Sequence, residues 1–456
     1  MRFFRGKGVI GGVHPPDRKE LSKTKKIVVL PLPEKVIIHL SQHIGAPAEP
    51  IVKIGDMVKK GQKIGEAKGF VSVPVHASVS GKVMAVANFP HPAGKSLPAV
   101  QIDSDGLDEW SEGVKENQDY RSLSPEEIKS IIKNAGIVGM GGAAFPTHVK
   151  LSPPENKKID TLIINGAECE PYLTADHRLM LEEPIKVLEG AMLVAKALSI
   201  KDVRIGVEAN KPDAITVLTD AAQNPSALPL SEEGEGGIPV KVESLPIVYP
   251  QGGEKQLIKA LTGREVPSGG LPMDVGVIVQ NVATVAAIYD AVRFGRPLIE
   301  RIVTVTGSGV KDPGNFKVRI GTSTLKLIEA AHGLKPEIGK VISGGPMMGI
   351  AQHTMDVPVI KGMSGLIFLP QSEMKNYTPE ACIRCGRCVA VCPMGLLPNM
   401  LGIYAELDRF EDAEKISVLD CMECGSCAYV CPSRRPLVHL IRHAKADIMA
   451  RKKKAA

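Results

Sequence analysis

Aromatic residues are scarce: Phe, Trp and Tyr make up 4% of the 456 residues, and there is a single Trp. Long apolar runs are missing too. No window approaches the ~18 uninterrupted apolar residues of a membrane-spanning helix, so no transmembrane segment is expected. The N-terminal stretch Met1–Ile10 has no apolar centre of the kind found in a signal peptide, which predicts a cytoplasmic location or the cytoplasmic face of a membrane. Charge of one sign is also modest. The 56 basic and 50 acidic residues leave a net charge of +6, too little for a dedicated nucleic-acid binder. Cysteine is nearly absent from most of the chain: of nine, eight lie between Cys382 and Cys431. Such clustering in a long chain points to metal rather than to a disulfide scaffold.

What is plentiful is glycine and proline, 45 and 35 residues, on a globular background of 44% hydrophobic and 23% charged residues. The chain is therefore folded, turn-rich and built on aliphatic cores, and its length suggests roughly three domains. Residues 1–115 read as a small β domain. Val52-x-x-Gly55-Asp56-x-Val58-x-x-Gly61-Gln62 precedes Val73-Pro74-Val75-His76-Ala77 and Val79-Ser80-Gly81-Lys82-Val83, short strands broken by turn residues. The two halves resemble the barrel-sandwich hybrid of biotinyl and lipoyl carriers. Lys68 stands near the carrier-lysine position without the usual flanking residues, so a docking or structural domain is expected. Residues 100–125 are polar and acidic and read as a linker.

Over residues 116–298, strand-like runs (161–165, 203–207, 275–280) alternate with helix-like ones (184–198, 255–261), the pattern of an α/β domain with a buried sheet. Ser124-Pro125-Glu126-Glu127 carries the signature of a helix start, with Ser124 as N-cap, Pro at N1 and Glu at N3. Residues 299–372 read as a small α+β module with a tight loop at Gly344–Gly349. Residues 373–456 hold the cysteines and end in the basic tail Arg451–Lys454.

The cysteines form two identical runs, Cys382-x-x-Cys385-x-x-Cys388-x-x-x-Cys392-Pro and Cys421-x-x-Cys424-x-x-Cys427-x-x-x-Cys431-Pro. Three thiolates two residues apart wrap a loop around one cubane, and the fourth starts a helix turn and ligates the other cluster. Cys382, Cys385, Cys388 and Cys431 are thus assigned to one [4Fe–4S] cluster, and Cys421, Cys424, Cys427 and Cys392 to the second. Zinc also favours paired Cys-x-x-Cys but gains nothing from the third regular step.

A second motif is glycine-rich: Gly136-Ile-Val-Gly139-Met-Gly141-Gly142-Ala-Ala-Phe-Pro146-Thr147-His-Val-Lys150. Glycines admit close backbone approach, and successive N–H groups make an anion nest. Lys150 adds a charge for a phosphate. Asn165-Gly-Ala-Glu168-Cys-Glu170-Pro ends a strand, where α/β sheets bind ligands. Tyr249-Pro-Gln-Gly252-Gly253-Glu254-Lys255 leads into a helix whose N-terminus favours an anion.

These segments resemble, in the same order, those of the flavin- and NADH-binding subunit of respiratory complex I. Gly139–Lys150 resembles G-R-G-G-A-G-F-P-T-G-x-K, Asn165–Pro171 resembles N-x-D-E-x-E-P, Tyr249–Lys255 resembles Y-I-C-G-E-E-T, and Gln280–Thr284 resembles N-N-V-E-T. The chain departs at Met140, Ala144, His148, Ala167, Gly253 and Ala283. A closer resemblance spans nearly the whole chain. The Gly11–Pro16 start, the phrases Leu40–Gly45 and Val75–Gly81, and the succession of domains are similar to those of the RnfC family, peripheral components of the Rnf complexes. Those complexes are membrane ferredoxin:NAD⁺ oxidoreductases that move Na⁺ or H⁺.

The resemblance implies a multidomain α/β and α+β fold: a barrel-sandwich hybrid, a complex I flavin-subunit-like α/β domain, a β-grasp-like SLBB module and a two-cluster ferredoxin-type domain. It implies FMN, NAD(H) and two [4Fe–4S] clusters. NADH gives two electrons as a hydride and a cluster takes one at a time, so a flavin must stand between them. Gly139, Gly141, Gly142 and Lys150 would hold the FMN phosphate and ribityl chain, and Asn165 and Thr284 would contact the flavin. Glu168, Glu170 and Glu254 would order the flavin edge or the NADH ribose. The implied partners are the other Rnf membrane and cluster-bearing subunits, with ferredoxin reached indirectly, on a peripheral chain at the cytoplasmic face of the bacterial inner membrane. Two other readings share these motifs: the soluble cobalamin reductase of microcompartments, and a non-enzymatic electron wire.

Overall fold

Short strands interrupted by Gly and Pro cannot bury an apolar face alone, so the first domain pairs them around one core. In the computed structural model, which describes residues 10–224, 228, 238–374 and 377–455, this core holds Val36, Ile38, Ile64, Val75, Val83, Val100 and Ile102, all fully buried. The long hairpin Gly81–His91 and Lys95–Ser104 joins Lys35–His39 and Met57–Val58 in one sheet, and Glu49–Pro50, Lys63–Glu66 and Val75–His76 form a second. Gly81 needs its glycine: at φ +151° a Cβ there would lie 2.0 Å from the Asp103 carbonyl oxygen.

The segments that flank this barrel also pack against other domains. Residues 12–29 run across the following domains. Val13 bridges Tyr249, and Ile27–Val29 is an edge strand parallel to Gly314–Arg319. Nor are residues 100–125 a free linker. They complete the hairpin to Ser104, and then Trp110 receives the Lys60 ammonium 4.3 Å above its ring while Tyr120 is buried. The expectation for the N-terminal stretch lies almost wholly outside the described residues.

The α/β domain is built on four parallel strands among the described residues, ordered Val240–Leu245, Asp202–Glu208, Thr161–Asn165, Val277–Asn281. Strand order reverses between Thr161–Asn165 and Val277–Asn281, which makes their carboxyl ends a topological switch point. The capping box of Ser124 and Glu127 opens the helix Pro125–Asn134. Helices Pro184–Leu198 and Val282–Phe294 touch at Gly190, where a Cβ would lie 1.9 Å from the Val285 carbonyl oxygen.

Next comes a mixed six-stranded sheet, ordered Ile27–Val29, Gly314–Arg319, Glu300–Thr306, Gly365–Pro370, Ile338–Ser343, Ile350–Ala351. Lys361 ties this module to both earlier ones. Its fully buried Nζ donates to Gly136 O at 2.7 Å and Pro74 O at 3.2 Å, and burial pulls the amine down to about 7. In the last domain, helices Pro398–Glu406, Phe410–Lys415 and Leu437–Ala455 pack around Leu401, Val418 and Ile441. The basic tail is partly engaged, since Lys452 pairs with Glu414 at 2.6 Å. No helix among the described residues is long and apolar enough to cross a membrane.

His76 sits at the junction with Lys361, and burial, then the Lys361 charge, pulls its imidazole down to about 3. The unfolded chain therefore binds a proton that the folded chain does not. Stability present above pH ~6.5 is lost as pH falls toward the folded value, by up to about 1.4 kcal/mol per pH unit. Urea midpoints at pH 7 and pH 5 are expected to show this drop, and His76→Gln is expected to reduce it.

Candidate functional site

Asn165 and Asn281 are register partners at the ends of the two strands that flank the switch point. Asn165 Oδ1 accepts from Ala167 N at 3.1 Å, and its amide donates to Gly252 O at 2.9 Å. Asn281 caps the following helix, accepting from Ala283 N at 2.9 Å, and donates to Asp176 at 2.6 Å. Burial, followed by the Glu168 charge, pushes the Asp176 carboxyl up to about 6.

The glycine-rich loop lies on this crevice. A Cβ on Gly141 would meet Asn281 Nδ2 at 2.8 Å, so glycine is required there for close approach, whereas Gly142 opens onto free space and Gly139 has room at 3.6 Å. One residue is held on both its backbone groups. Met140 N donates to Thr284 Oγ1 at 2.9 Å, and Met140 O accepts from the Arg301 guanidinium at 2.6 Å. Arg301 is buried and also holds Met363 O at 3.0 Å. Gly141, Gly142 and Ala143 are exposed, and their N–H groups find no acceptor among the described residues. This is an open anion nest at a switch point.

The three carboxylates take different places. Glu168 accepts from Asp176 N at 2.8 Å and His177 N at 3.1 Å, holding the start of the helix Ala175–Glu182. Glu170 is buried, which raises its carboxyl; it accepts from Met347 N at 3.0 Å and Met348 N at 2.9 Å, tying down the Gly344–Gly349 loop. Glu254 pairs with Lys150 at 2.6 Å, and both are half-exposed at the crevice side. Lys150 thus faces a carboxylate rather than standing free for an anion.

The carbonyls of this segment converge on Lys19. Its buried Nζ donates to Glu168 O at 2.9 Å, Glu170 O at 3.0 Å and Leu173 O. Lys19 and Arg301 carry no motif of their own, and Tyr249 heads the motif Tyr249–Lys255 without a role assigned to it there. The signal for Arg301 is a charge at the head of a strand that is otherwise uncharged after it, and for Tyr249 its place at the head of the glycine loop that precedes Glu254; Lys19 offers none.

The cysteines line two cavities. One, of about 370 Å³, gathers Cys392, Cys421, Cys424 and Cys427 with Leu396, Leu401 and Ile441. The other, of about 360 Å³, gathers Cys382, Cys385, Cys388 and Cys431 with Leu437. Each takes three cysteines from one run and the fourth from the other. The expected helix turn differs: it carries the third cysteine, in Arg387–Ala390 and Ser426–Tyr429, and the fourth follows its end. Burial pushes the Cys421 thiol up to about 11 and Cys427 up to about 12. Four thiols in an apolar pocket are the donor set of a cationic iron–sulfur core, whose charge offsets that burial. Chemistry and arrangement both fit.

The crevice and the first cavity share a wall. The Tyr249 hydroxyl donates to Cys424 O at 2.8 Å, Gln256 Nε2 to Pro393 O at 3.2 Å, and Gly12 N to Val391 O at 2.9 Å. Cys169 also lies here. It is half-buried, desolvation pushes its thiol up to about 12, and it accepts from Gly252 N at 3.3 Å.

Known proteins share this anatomy domain by domain. Family models match residues 7–107 (RnfC barrel sandwich hybrid domain), 132–290 (Nuo51 FMN-binding domain), 302–351 (SLBB domain) and 374–432 (4Fe-4S dicluster domain). The RnfC-type component of the proton-translocating ferredoxin:NAD(+) oxidoreductase complex of Clostridium ljungdahlii is 49% identical, over 98% of this chain and 94% of that one. The chain belongs to the RnfC family of ion-translocating oxidoreductase complexes. The corresponding component of the Na(+)-translocating ferredoxin:NAD(+) oxidoreductase complex of Acetobacterium woodii is 50% identical over 97% of this chain and 98% of that one. A third relative, from the ion-translocating oxidoreductase complex of Rhodobacter capsulatus, is 44% identical over 97% and 83%. The fold is shared with a solved NAD+-reducing [NiFe]-hydrogenase in the H2-reduced state, at a TM-score of 0.50 and 19% identity, covering 72% of this chain and 61% of that one.

In this RnfC-family chain the crevice fits FMN on its own evidence: the nest of unpaired N–H groups, the clearance over Gly142, and a buried Gln251 whose amide atoms lack partners one residue from Gly252. Arg301→Leu leaves two carbonyls unpaired, a loss of about 2 kcal/mol at the loop. FMN affinity, measured by flavin fluorescence after ultrafiltration, is expected to fall at least tenfold while iron content is unchanged.

Proposed function

We propose that this chain is the peripheral NAD(H)-handling subunit of an ion-translocating ferredoxin:NAD⁺ oxidoreductase, held at the cytoplasmic face of a bacterial membrane by the other subunits of the complex. The observation that carries the reading is the shared wall. One loop, Tyr249–Glu254, bonds the flavin crevice through Gly252 and the first cysteine cavity through Tyr249. Bound FMN supplies the exchange between a hydride and single electrons, and the clusters carry those electrons onward.

The chain's own residues position this chemistry. Thr284 and Arg301 fix the Met140 peptide, so the N–H groups of Gly141, Gly142 and Ala143 face a phosphate without rearrangement. Asn165 holds Gly252 against the crevice. Glu168 and Glu170, through the bonds described above, shape the loop that ends the central strand, and Glu254 with Lys150 borders the opening where a dinucleotide would enter. Cys382, Cys385, Cys388 and Cys431 are the ligands proposed for the outer cluster, and Cys392, Cys421, Cys424 and Cys427 for the inner one. The implied partners are NADH or NAD⁺ and the membrane and cluster-bearing subunits of the complex, with ferredoxin reached through them.

Anaerobic NADH titration of the loaded chain is expected to bleach the flavin and then raise reduced-cubane EPR signals. Ligand crossing gives a sharper outcome. Cys431→Ala, although in the second run, is expected to remove the cluster of the first, lowering iron from about eight to about four per chain while NADH still bleaches the flavin. Clusters that assemble with no flavin or NADH response would leave the chain a wire or scaffold.

A further inference from the structure

The two cysteine runs are an internal repeat, and their backbones coincide. Arg384 and Glu423 have φ of +57° and +61°, and Gly386 and Gly425 have +74° and +82°. A four-residue helix follows each. Their surroundings differ. In the second run Met422 and Gly425 are pressed against the rest of the chain. A Cβ on Gly253 would lie 2.7 Å from Met422 Cε, and one on Gly425 would lie 2.9 Å from Met347 O. Cys424 is buried there. In the first run the equivalent Ile383 is 66% exposed, Cys385 is exposed, and a Cβ on Gly386 would meet nothing within 4 Å. The face by which the second run is seated on the flavin side of the molecule is repeated on the first run and left uncovered.

We propose that this outer face, centred on Ile383, Cys385 and Gly386, is the docking surface for an acidic iron–sulfur protein, which sits on the first run as the α/β domain sits on the second. The charges name the partner's chemistry. Arg384, Arg387 and Arg434 are exposed and have no ion pair among the described residues; Arg434 lies 3.6 Å above the Tyr377 ring. Glu380, bonded through its N–H to Ser433 O, is the carboxylate beside them. On the inner run Glu423 replaces Arg384 and is neutralised by Arg442 at 2.7 Å and Lys445 at 2.6 Å, and Ser426 replaces Arg387. Positive charge is thus placed only where the repeat is bare. An unpaired basic rim around an apolar centre steers an acidic partner and sets its orientation.

The step at this face is the passage of one electron. The centre held by Cys382, Cys385, Cys388 and Cys431 gains it and the partner's centre loses it, or the reverse, and no bond or proton is exchanged. This surface rests on the function proposed above, since it needs the cysteine cavities to hold clusters.

The test uses the full chain loaded with FMN and clusters, carrying Arg387→Glu and Arg434→Glu, neither of which lines a cavity. A reduced, acidic bacterial ferredoxin with two [4Fe–4S] clusters stands in for the cluster-bearing partner subunit as the probe in anaerobic stopped flow, with NAD⁺ as the final acceptor. Ferredoxin oxidation is expected to slow about tenfold or more at low ionic strength, and its salt dependence to flatten. Flavin bleaching by NADH and iron content serve as controls. An unchanged rate and salt dependence at full iron content would overturn the docking surface, as would a salt-independent reaction of the unaltered chain. If the Glu variants lose iron, Arg387→Gln and Arg434→Gln are judged by the same two outcomes. Cluster reduction by the probe is followed by visible absorbance without NAD⁺. A chain that takes ferredoxin electrons but shows no flavin response therefore sinks the NAD(H) reading while the docking face is still judged.

Discussion

The hydrogen bond from Tyr249 to the carbonyl of Cys424 joins the crevice of the α/β domain to the inner cysteine cavity. The electron exchange proposed between the two would depend on their separation, so this junction has to be held by the remainder of the molecule. Interfaces between domains of one chain are usually modest and mobile. Here the loop bearing Tyr249 is tied at both ends, by Asn165 at Gly252 and by the Val13 bridge at Tyr249 itself.

Buried charges bonded to backbone groups secure the other junctions. Lys19 gathers the carbonyls of the segment after the central strand, Arg301 reaches from the six-stranded sheet to Met140, and Lys361 joins three modules at Gly136 and Pro74. Glu170 does the same in reverse, accepting two N–H groups of the Gly344–Gly349 loop. Hydrogen bonds to charged groups are worth about 1.5–3 kcal/mol each, but burial of the charge costs a comparable amount. What such contacts add is geometric uniqueness. A sliding apolar interface tolerates several registers, whereas an ammonium buried among carbonyls accepts one.

The cysteine runs and the glycine-rich loop were legible because their chemistry is local. A cubane needs its thiolates at fixed steps, and a nest needs consecutive small residues. The crossing of Cys392 and Cys431 between cavities followed from the same spacing. The acidic residues were less legible. Glu168 and Glu170 look like ligand-facing carboxylates in a strand-end motif, yet they accept backbone N–H groups at 2.8–3.1 Å. Lys150 looked like a free charge and is paired with Glu254, 104 residues away. Composition could not show that residues 12–29 belong to later domains, because strand Ile27–Val29 finds its partner only once Gly314–Arg319 is in place.

The sequence by itself determined the succession of domain types, the α/β pattern with its buried sheet, the glycine-rich loop and the two cysteine runs, since each is written in residues a few positions apart. Tertiary structure alone decided which quartet lies against the flavin crevice and which faces outward. The two runs share one cysteine spacing, and it is the packing of Met422 and Gly425 against distant segments, with Ile383 and Gly386 left bare, that gives them their different places.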